Sequence, residues 1–170
     1  LALSSRNGYL SDTERTEAVH LSLALRSLAR DALAAAGVAA LIAAHPGAQA
    51  YRLLAGLVVP RPIALVTTLD AAGIVNAAPF SFFNVMGAEP AIAVFAPADR
   101  DDGTLKDTAA NLTANAECVI HLCDEAVAAR MVECARPLPP GESEVPRAGF
   151  TLAPSERVRV PRLVECPVAL

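Results

Sequence analysis

The sequence predicts a mainly β domain with helices, preceded by an α-helical N-terminal arm. Residues 1–47 carry an amphipathic, alanine-rich pattern that ends at a His-Pro-Gly stop. From Tyr51 onward, short β-branched segments alternate with turn residues, which is typical of strands joined by tight connections. The 170 residues are long enough for one compact domain plus such an arm.

The arm is predicted to be helical from about Asp12 onward. Ser11 and Glu14 match a capping box, and leucines mix with arginines in an amphipathic pattern. Ala34 to Ala44 continues the helical pattern, and the proline and glycine that follow His45 end it.

A β-hairpin is predicted next. Ile63 to Leu69 favours a strand, Asp70 to Gly73 supplies the turn, and Ile74 to Ala78 pairs back. Pro79 has no N–H to donate to a sheet, so we expect regular pairing to end there. Residues 80–84 are then expected to form a Phe-rich loop.

The later elements are predicted more coarsely. We expect strands at 91–95, 117–123, 158–160 and 168–170, helices at 108–115 and 124–134, the second capped by Asp124, and a loop at 137–147. That loop is rich in proline, glycine and acids, and such a stretch near a binding face favours a flexible rim or lid.

The Phe-rich loop combines aromatic and polar residues. Core packing alone explains the clustering of Phe80, Phe82 and Phe83. Ser81 and Asn84 are harder to explain in that way, because a polar side chain beside buried aromatic rings needs a hydrogen-bond partner. A ligand is one such partner.

A second cluster, Lys106-Asp107-Thr108, opens the helix predicted at 108–115. Asp107 or Thr108 is expected to cap it, which places free N–H groups and the positive end of the helix dipole beside Lys106. With Arg100 and Arg61, three cations would then converge on one phosphate. Taken alone, the cluster is better explained as an ordinary helix start with a solvated charge pair.

These segments, in this order, resemble the flavin reductase-like family of FMN-binding split barrels. The resemblance runs from YRLLAGLVVPRPIALVTTLDAAG at Tyr51, through NAAPFSFFN, to Lys106-Asp107-Thr108 with Asn111. It implies an FMN-binding split barrel over residues 51–170, a homodimer with flavin near the interface, and NAD(P)H as electron donor. A flavin carries out the hydride chemistry itself, so the protein mainly positions and tunes it.

The same resemblance implies the cofactor contacts. The strand-end hydroxyls Thr67 and Thr68 and the segment Asn76, Ala78, Pro79, Phe80, Ser81, Phe82 and Asn84 would contact the flavin and its ribityl phosphate, with residues 78–82 against the ring system. The phosphate would be faced by Arg61, Arg100, Lys106 and Thr108, with Asp107 in the same segment.

The N-terminal piece has a different likeness. Over residues 1–41, SSRNGYLSDTER resembles part of pantothenate synthetase, the ATP-dependent pantoate–β-alanine ligase, and Ser4, Ser5 and Arg6 fall on that family's ATP-phosphate segment. Nothing upstream supplies the rest of a ligase site, so we expect no ligase activity. The chain starts at Leu1 and ends in an expected strand, so we expect a spliced or truncated product with an incomplete barrel and an open sheet edge.

Composition excludes some function classes. The net charge of −4 and the absence of a basic stripe argue against a nucleic-acid partner. The longest apolar run, Ala32 to Ala44, is shorter than the roughly 20 residues that span a bilayer. With no leader-like pattern, we expect no membrane association and a cytoplasmic location.

The cysteines and histidines are weighed separately. Cys118, Cys123, Cys134 and Cys166 match no structural zinc spacing, so buried thiols in a reducing compartment are expected and no metal site is predicted. His121 lies on a predicted strand, where a structural histidine is favoured over a flavin or substrate contact.

Two function classes fit these expectations. One is an oxidoreductase in which bound FMN passes electrons from reduced nicotinamide to free flavin, oxygen or another acceptor, with no protein acid or base required. The other is an FMN-binding or purely structural module without turnover. Bleaching of the bound flavin by reduced nicotinamide would favour the enzyme.

Overall fold

A computed structural model describes residues 48–100, 102–139 and 141–170. The helical arm predicted over residues 1–47, with Ser4, Ser5 and Arg6, lies outside the described residues. Contacts divide the chain into two compact units, one ending at Arg61 and the other running from Pro62 to Leu170. The domain start predicted at Tyr51 stays a prediction, since the second unit begins at Pro62.

The described elements follow one another in mixed order. They are α1 (Ala48–Leu57), β1 (Ala64–Leu69), β2 (Val75–Phe80), β3 (Phe83–Ala88), β4 (Ala91–Phe95), α2 (Asp107–Asn115), β5 (Val119–Leu122), a 3₁₀ turn (Glu125–Val127), α3 (Ala128–Glu133), α4 (Glu144–Ala148), β6 (Leu152–Ala153), β7 (Arg162–Leu163) and β8 (Val168–Ala169). The predicted mainly β fold with helices is confirmed in this part of the chain.

The unit that contains α1 ends with Arg61. The Nη1 of Arg61 donates to the carbonyl oxygen of Val58 at 2.9 Å and also to that of Ala55. Carbonyl groups at the end of a helix have no intrahelical partner, so a cation that donates to them stabilises the helix end. Arg61 thus donates to one carbonyl within α1 and to one directly after its last residue, and its phosphate contact stays a prediction.

In the second unit, four strands form one sheet in the order β2-β1-β5-β8. The predicted hairpin is confirmed: β1 and β2 are antiparallel, and Asp70 Oδ1 accepts from the N–H of Ala72 at 2.8 Å and of Ile74 at 2.7 Å. Gly73 completes the turn with φ of +83°, a conformation that glycine adopts without strain. The turn therefore fixes the register in which Thr68 lies opposite Asn76.

The prediction that pairing ends at Pro79 is wrong. Strand β2 continues through Pro79, which lies opposite Leu65, and ends at Phe80. Because β2 is an edge strand of its sheet, a missing N–H is tolerated there. The predicted five-residue loop shrinks to the bend Ser81-Phe82, since Phe83 already begins β3.

The two faces of the sheet pack against different layers. On one face, buried apolar side chains of β1 and β2 pack with α3, α4 and the C-terminal segment: Leu65, Val75, Ala77, Val127, Met131, Cys134, Val145, Ala148, Phe150, Leu163 and Cys166. Burial of a leucine such as Leu65 stabilises the fold by roughly 1.5–3 kcal/mol. On the other face a smaller cluster contains Ala64, Val66, Phe83 and Ile120.

Other predicted elements are confirmed or corrected. Strand 91–95 and the helix at 108–115, which begins one residue earlier, are confirmed, and Asp124 caps the 3₁₀ turn that precedes α3. Residues 158–160 form bends instead of a strand. The segment 137–147, expected as a loop, contains the start of α4, which is capped by Ser143. The C-terminal part of this segment is therefore helical and does not form the flexible rim or lid that was expected.

The β3–β4 pair is a separate two-stranded sheet. Most of its residues are exposed, and they include the large apolar side chains Val85, Met86, Ile92 and Val94, each at least 45% exposed. In the described parts of the chain, no helix has the length and apolar character needed to cross a membrane.

Candidate functional site

A buried network of hydroxyls and amides lies where β1 and β2 meet α2. Thr68 and Asn76 face each other across the hairpin, and Thr108 and Asn111 project from α2. Asn76 Nδ2 donates to Thr108 Oγ1 at 2.9 Å and to Thr68 Oγ1 at 3.3 Å. Asn111 Nδ2 donates to Thr68 Oγ1 at 3.0 Å. Four polar side chains from three elements thus converge at one point of the sheet.

The direction of these hydrogen bonds shows what the network can offer. Thr68 Oγ1 accepts from both amides, and Thr108 Oγ1 accepts from Asn76. A hydroxyl that accepts a hydrogen bond still has its own proton to donate. The amide nitrogens of Asn76 and Asn111 are donors and cannot accept this proton, so it requires a different acceptor. The threonine hydroxyls therefore suit a ligand that carries oxygen acceptors, such as a polyol or a phosphate.

Lys106 lies at the start of α2 beside this network. Its backbone is extended, with φ of −69° and ψ of 157°, and it occupies the cap position. The predicted cap by Asp107 or Thr108 is therefore wrong: Asp107 is already the first helical residue. A lysine side chain has no acceptor for helix N–H groups, so Lys106 provides no side-chain cap and the N-terminus of α2 keeps the positive end of the helix dipole.

Arg100 and Asp107 form an ion pair in the same region. Arg100 Nη2 lies 2.8 Å from Asp107 Oδ1, and Arg100 Nη1 also donates to the carbonyl of Leu105. The two side chains are 38% and 50% exposed, so the pair contributes only about 0–1 kcal/mol to stability. Its effect is to brace the loop before α2, and the aspartate offsets part of the arginine charge.

The same face of the hairpin becomes apolar away from the network. Ala78 lies opposite Val66 and Phe80 opposite Ala64, so their side chains share a face with Thr68 and Asn76. The Phe80 ring packs on Phe95 with centroids 5.1 Å apart. Ala78, Phe80, Ser81 and Phe82 are only half-buried. A polar end and a half-exposed apolar end therefore lie along one hairpin.

Three other predicted site residues have different surroundings. Thr67 and Pro79 alternate with Thr68 and Ala78, so they face the opposite side of the sheet. The Thr67 hydroxyl is fully buried and donates to the carbonyl of Pro161 at 2.9 Å. Asn84 is exposed on β3, and its Oδ1 accepts from the N–H of Val85 at 2.8 Å. The Thr67 hydroxyl and the Asn84 amide oxygen thus bond within the chain, and the flavin contacts of all three residues stay predictions.

The sequence analysis did not predict the Ser143–Glu144 clip, a pair of side-chain hydrogen bonds that hold the outer edge of β2. Ser143 Oγ donates to the carbonyl of Val75, and Glu144 Oε2 accepts from the N–H of Ala77 at 3.0 Å. Since Ala77 follows Asn76, the clip holds the strand that carries the network. Burial raises the pKa of Glu144. The Ser-Glu pair of the ESEVP segment is a helix-start signal that was available in the sequence.

His121 is a structural histidine, as predicted. Its Nδ1 lies 2.9 Å from the Leu65 carbonyl, and the N–H of Leu163 donates to its Nε2 at 2.9 Å. A carbonyl only accepts and an N–H only donates, so the proton is on Nδ1 and the ring is neutral. Burial lowers the pKa of His121, which favours this neutral form.

Comparison with known proteins gives two family matches. The model described as "Flavin reductase like domain" matches residues 56–170, and the model described as "Pantoate-beta-alanine ligase" matches residues 1–72. An uncharacterised protein of Halalkalibacterium halodurans is 52% identical over 120 residues, which cover 71% of this chain and 57% of that protein. The chain thus spans less than two thirds of the length of this relative.

Solved structures show the same likeness. Nitrilotriacetate monooxygenase component B from Bacillus cereus is 39% identical with a TM-score of 0.67, covering 70% of this chain and 58% of that chain. The 2-nitrobenzoate 2-nitroreductase of Pseudomonas fluorescens is 40% identical with a TM-score of 0.65. The match covers 75% of this chain and 60% of that chain. A split-barrel flavin reductase from Shewanella frigidimarina, described as putative, is 18% identical with a TM-score of 0.55. The match covers 62% of this chain and 51% of that chain, and at this identity it shows the fold alone. The predicted split-barrel fold is confirmed.

Proposed function

The chain belongs to the flavin reductase-like domain family, and from this premise we propose that it binds FMN and acts as an oxidoreductase. Reduced nicotinamide would donate the electrons, and a flavin or another acceptor would receive them. The observation that carries the proposal is the buried network of Thr68, Asn76, Thr108 and Asn111 beside Lys106, at the polar end of a half-exposed apolar strand.

The polar end suits the ribityl phosphate. Lys106 supplies a cation, α2 supplies N–H groups at its N-terminus, and Thr108 is held at that terminus by Asn76. Thr68 and Thr108 can each donate a hydroxyl proton to a polyol or phosphate oxygen. Arg100 adds less net charge, because Asp107 pairs with it. We therefore assign the phosphate first to Lys106 and Thr108.

The apolar end suits the ring system. Ala78 is small enough to let a flat ring approach the strand, and Phe80 supplies an apolar surface held in place by Phe95. The Ser81-Phe82 bend joins β2 to β3 directly after Phe80, and there we place the pyrimidine edge of the ring. When bound, FMN supplies the hydride and electron chemistry, while these residues orient it and exclude water from one side.

The network holds no acid or base. Its threonine and asparagine side chains keep their protonation state near neutral pH, so its contribution is binding and orientation. The same site fits a second candidate, an FMN-binding module without turnover. The electron acceptor stays open, since the two structures near 40% identity carry different activities in their names. We propose no ligase activity, because the ligase match covers less than half of the chain.

The exposed β3–β4 hairpin supports a homodimer. Val85, Met86, Ile92 and Val94 expose 45–65% of their surface to water, and an isolated two-stranded sheet is only marginally stable. We propose that a second copy of the chain covers this hairpin, next to Phe80 and Phe95 of the ring-binding end. The four cysteines are free thiols, which supports a reducing, cytoplasmic compartment.

Flavin titration of the purified chain tests the proposal. We expect the protein to turn yellow with FMN, and Lys106→Ala to weaken binding by about tenfold, as for loss of one charged hydrogen bond. Arg157→Ala removes an exposed cation elsewhere and should leave the affinity unchanged. Lys106 is the only lysine in the sequence, so protection from a lysine-specific reagent by FMN reports its contact independently.

The same preparation separates the two candidates. Bleaching of the yellow protein by reduced nicotinamide supports the oxidoreductase, whereas a yellow protein that stays coloured supports the binding module. Equal FMN affinity in the wild type and in Lys106→Ala, with no protection of Lys106, would contradict the phosphate assignment.

A further inference from the structure

Two thiols that the flavin site does not use lie face to face in the second unit. Cys123 directly follows β5, and Cys166 lies in the turn between β7 and β8. Their Sγ atoms are 4.0 Å apart although the residues are 43 positions apart in the sequence. A disulfide requires the sulfurs to approach to about 2.05 Å, so a movement of roughly 2 Å would join them.

The pair lies where the C-terminal segment, residues 161–170, attaches to the sheet. Pro161 accepts from Thr67, Leu163 donates to His121, and β8 pairs with β5 through Leu122 and Val168. Strand β8 is only two residues long and exposed. The attachment of β8 is therefore short, and a covalent link between Cys123 and Cys166 would reinforce it.

We propose that Cys123 and Cys166 form a reversible disulfide that locks the C-terminal segment against β5, with a peroxide as the oxidant. Reduced flavin in contact with dioxygen is a source of peroxide, and this source exists only if the proposed function is correct.

The reaction balances with one peroxide per disulfide. The Cys166 thiolate attacks one peroxide oxygen, the O–O bond breaks, and a sulfenic acid and one water form once the leaving oxygen is protonated. The Cys123 sulfur then attacks the sulfenic sulfur, the S–S bond forms, the S–O bond breaks, and a second water leaves. The two thiols lose two electrons and two protons, and the peroxide is reduced to two waters.

The surroundings select this pair among the four cysteines. The contact between the two sulfurs lowers the pKa of Cys166 and raises that of Cys123, so we take Cys166 as the attacking thiol. Burial raises the pKa of Cys134 to about 12, so Cys134 stays a thiol at neutral pH. Cys118 packs on the other face of the sheet, with the smaller apolar cluster.

Mapping of the oxidised protein tests the proposal directly. The full chain is treated with hydrogen peroxide, which makes the test independent of flavin binding. We expect the intact mass to fall by two hydrogens, the titratable thiols to fall from four to two, and peptide mapping to join Cys123 with Cys166. Cys118→Ser should behave like the wild type, and dithiothreitol should restore all four thiols.

Variants and stability sharpen the test. In Cys123→Ser, which keeps a hydroxyl that can donate to Cys166 but lacks the resolving thiol, a dimedone adduct should accumulate on Cys166. Oxidation of the wild type should raise the urea midpoint and slow amide exchange at Leu163 and Leu170, both reversibly. A disulfide through Cys134 or between chains, oxidation without a disulfide, or an unchanged midpoint and exchange would overturn the proposal. A flavin-free but disulfide-forming protein would overturn only the proposed function.

Discussion

Thr67 and Thr68 are neighbours on β1, both fully buried, yet they point to opposite faces of the sheet. Thr67 donates to a backbone carbonyl, that of Pro161. Thr68 accepts from two side-chain amides, those of Asn76 and Asn111. The alternation of side chains along a strand thus separates one identical pair into a structural residue and a candidate site residue.

The two faces differ in the kind of hydrogen-bond partner. On the large-core face, Thr67 and His121 bond to backbone groups, which the fold holds in place. On the other face, the network joins side chain to side chain, and such groups can re-pair with a ligand by small rotations. We therefore expect changes on the first face to alter stability and changes on the second to alter binding.

The largest effect should come from His121→Leu. The substitution fills the space of the imidazole with an apolar side chain but leaves the Leu65 carbonyl and the Leu163 N–H buried without the partners that His121 supplies. Each such group costs about 1–3 kcal/mol, so we expect the free energy of unfolding to fall by about 2–6 kcal/mol. Urea denaturation measures this. FMN affinity of the remaining folded protein should not change, and a loss under about 1 kcal/mol would contradict the structural role.

A paired substitution compares the two faces directly. Thr68→Val removes the shared acceptor of Asn76 and Asn111, so we expect the displaced amides to lower FMN affinity about tenfold and the free energy of unfolding to fall by about 1–3 kcal/mol. Thr67→Val should cost about 1 kcal/mol of stability and leave FMN affinity unchanged. Calorimetric titration with FMN and urea denaturation give both quantities. A larger loss of affinity in Thr67→Val would break the comparison.

The pH dependence of stability should have opposite slopes from two buried groups. Burial lowers the pKa of His121 in the folded protein below its ordinary value near 6.5. The stability that the neutral His121 ring contributes is therefore complete above pH 6.5 and is lost as the pH falls through the pKa of the folded state. Burial raises the pKa of Glu144 in the folded protein above its ordinary value near 4.5. The stability that the protonated Glu144 carboxyl contributes is therefore complete below pH 4.5 and is lost as the pH rises through the pKa of the folded state.

Two variants separate these slopes. In Glu144→Gln the amide oxygen still accepts from Ala77, while the ionisable group is gone, so we expect the stability loss at rising pH to disappear. His121→Leu should remove the loss at falling pH. Denaturant unfolding over a pH series measures both, and a variant whose pH profile parallels that of the wild type would refute the assignment of that group.

The smallest effect is expected for Asp107→Asn. The ion pair with Arg100 is half exposed, so stability should change by less than about 0.5 kcal/mol. Removal of the carboxylate leaves Arg100 uncompensated near the start of α2, and we expect FMN affinity to rise by up to about threefold. Titration at low and high salt measures this change. A weaker affinity would show that Asp107 itself supports the cofactor site.

Local patterns predicted several elements well. The Asp70–Gly73 turn, the strand at 91–95 and the helix at 108–115 each depend on residues within a few positions of one another. The Pro79 prediction failed because the tolerance of a strand for proline depends on its place in the sheet, and β2 lies at an edge. Helix α4 is short and contains Pro146, so no helical periodicity marked it.

The amino-acid sequence was sufficient for the β1–β2 hairpin with its turn, the strand at 91–95, the helix at 108–115 and the family of the chain, because these follow from neighbouring residues and their motifs. Long-range packing was needed to show that Thr68 and not Thr67 joins the network, and that Glu144 holds β2. The partners are distant in the chain: Pro161 is 94 positions from Thr67, and Glu144 is 67 from Ala77. Packing selects such contacts, and no local pattern encodes them.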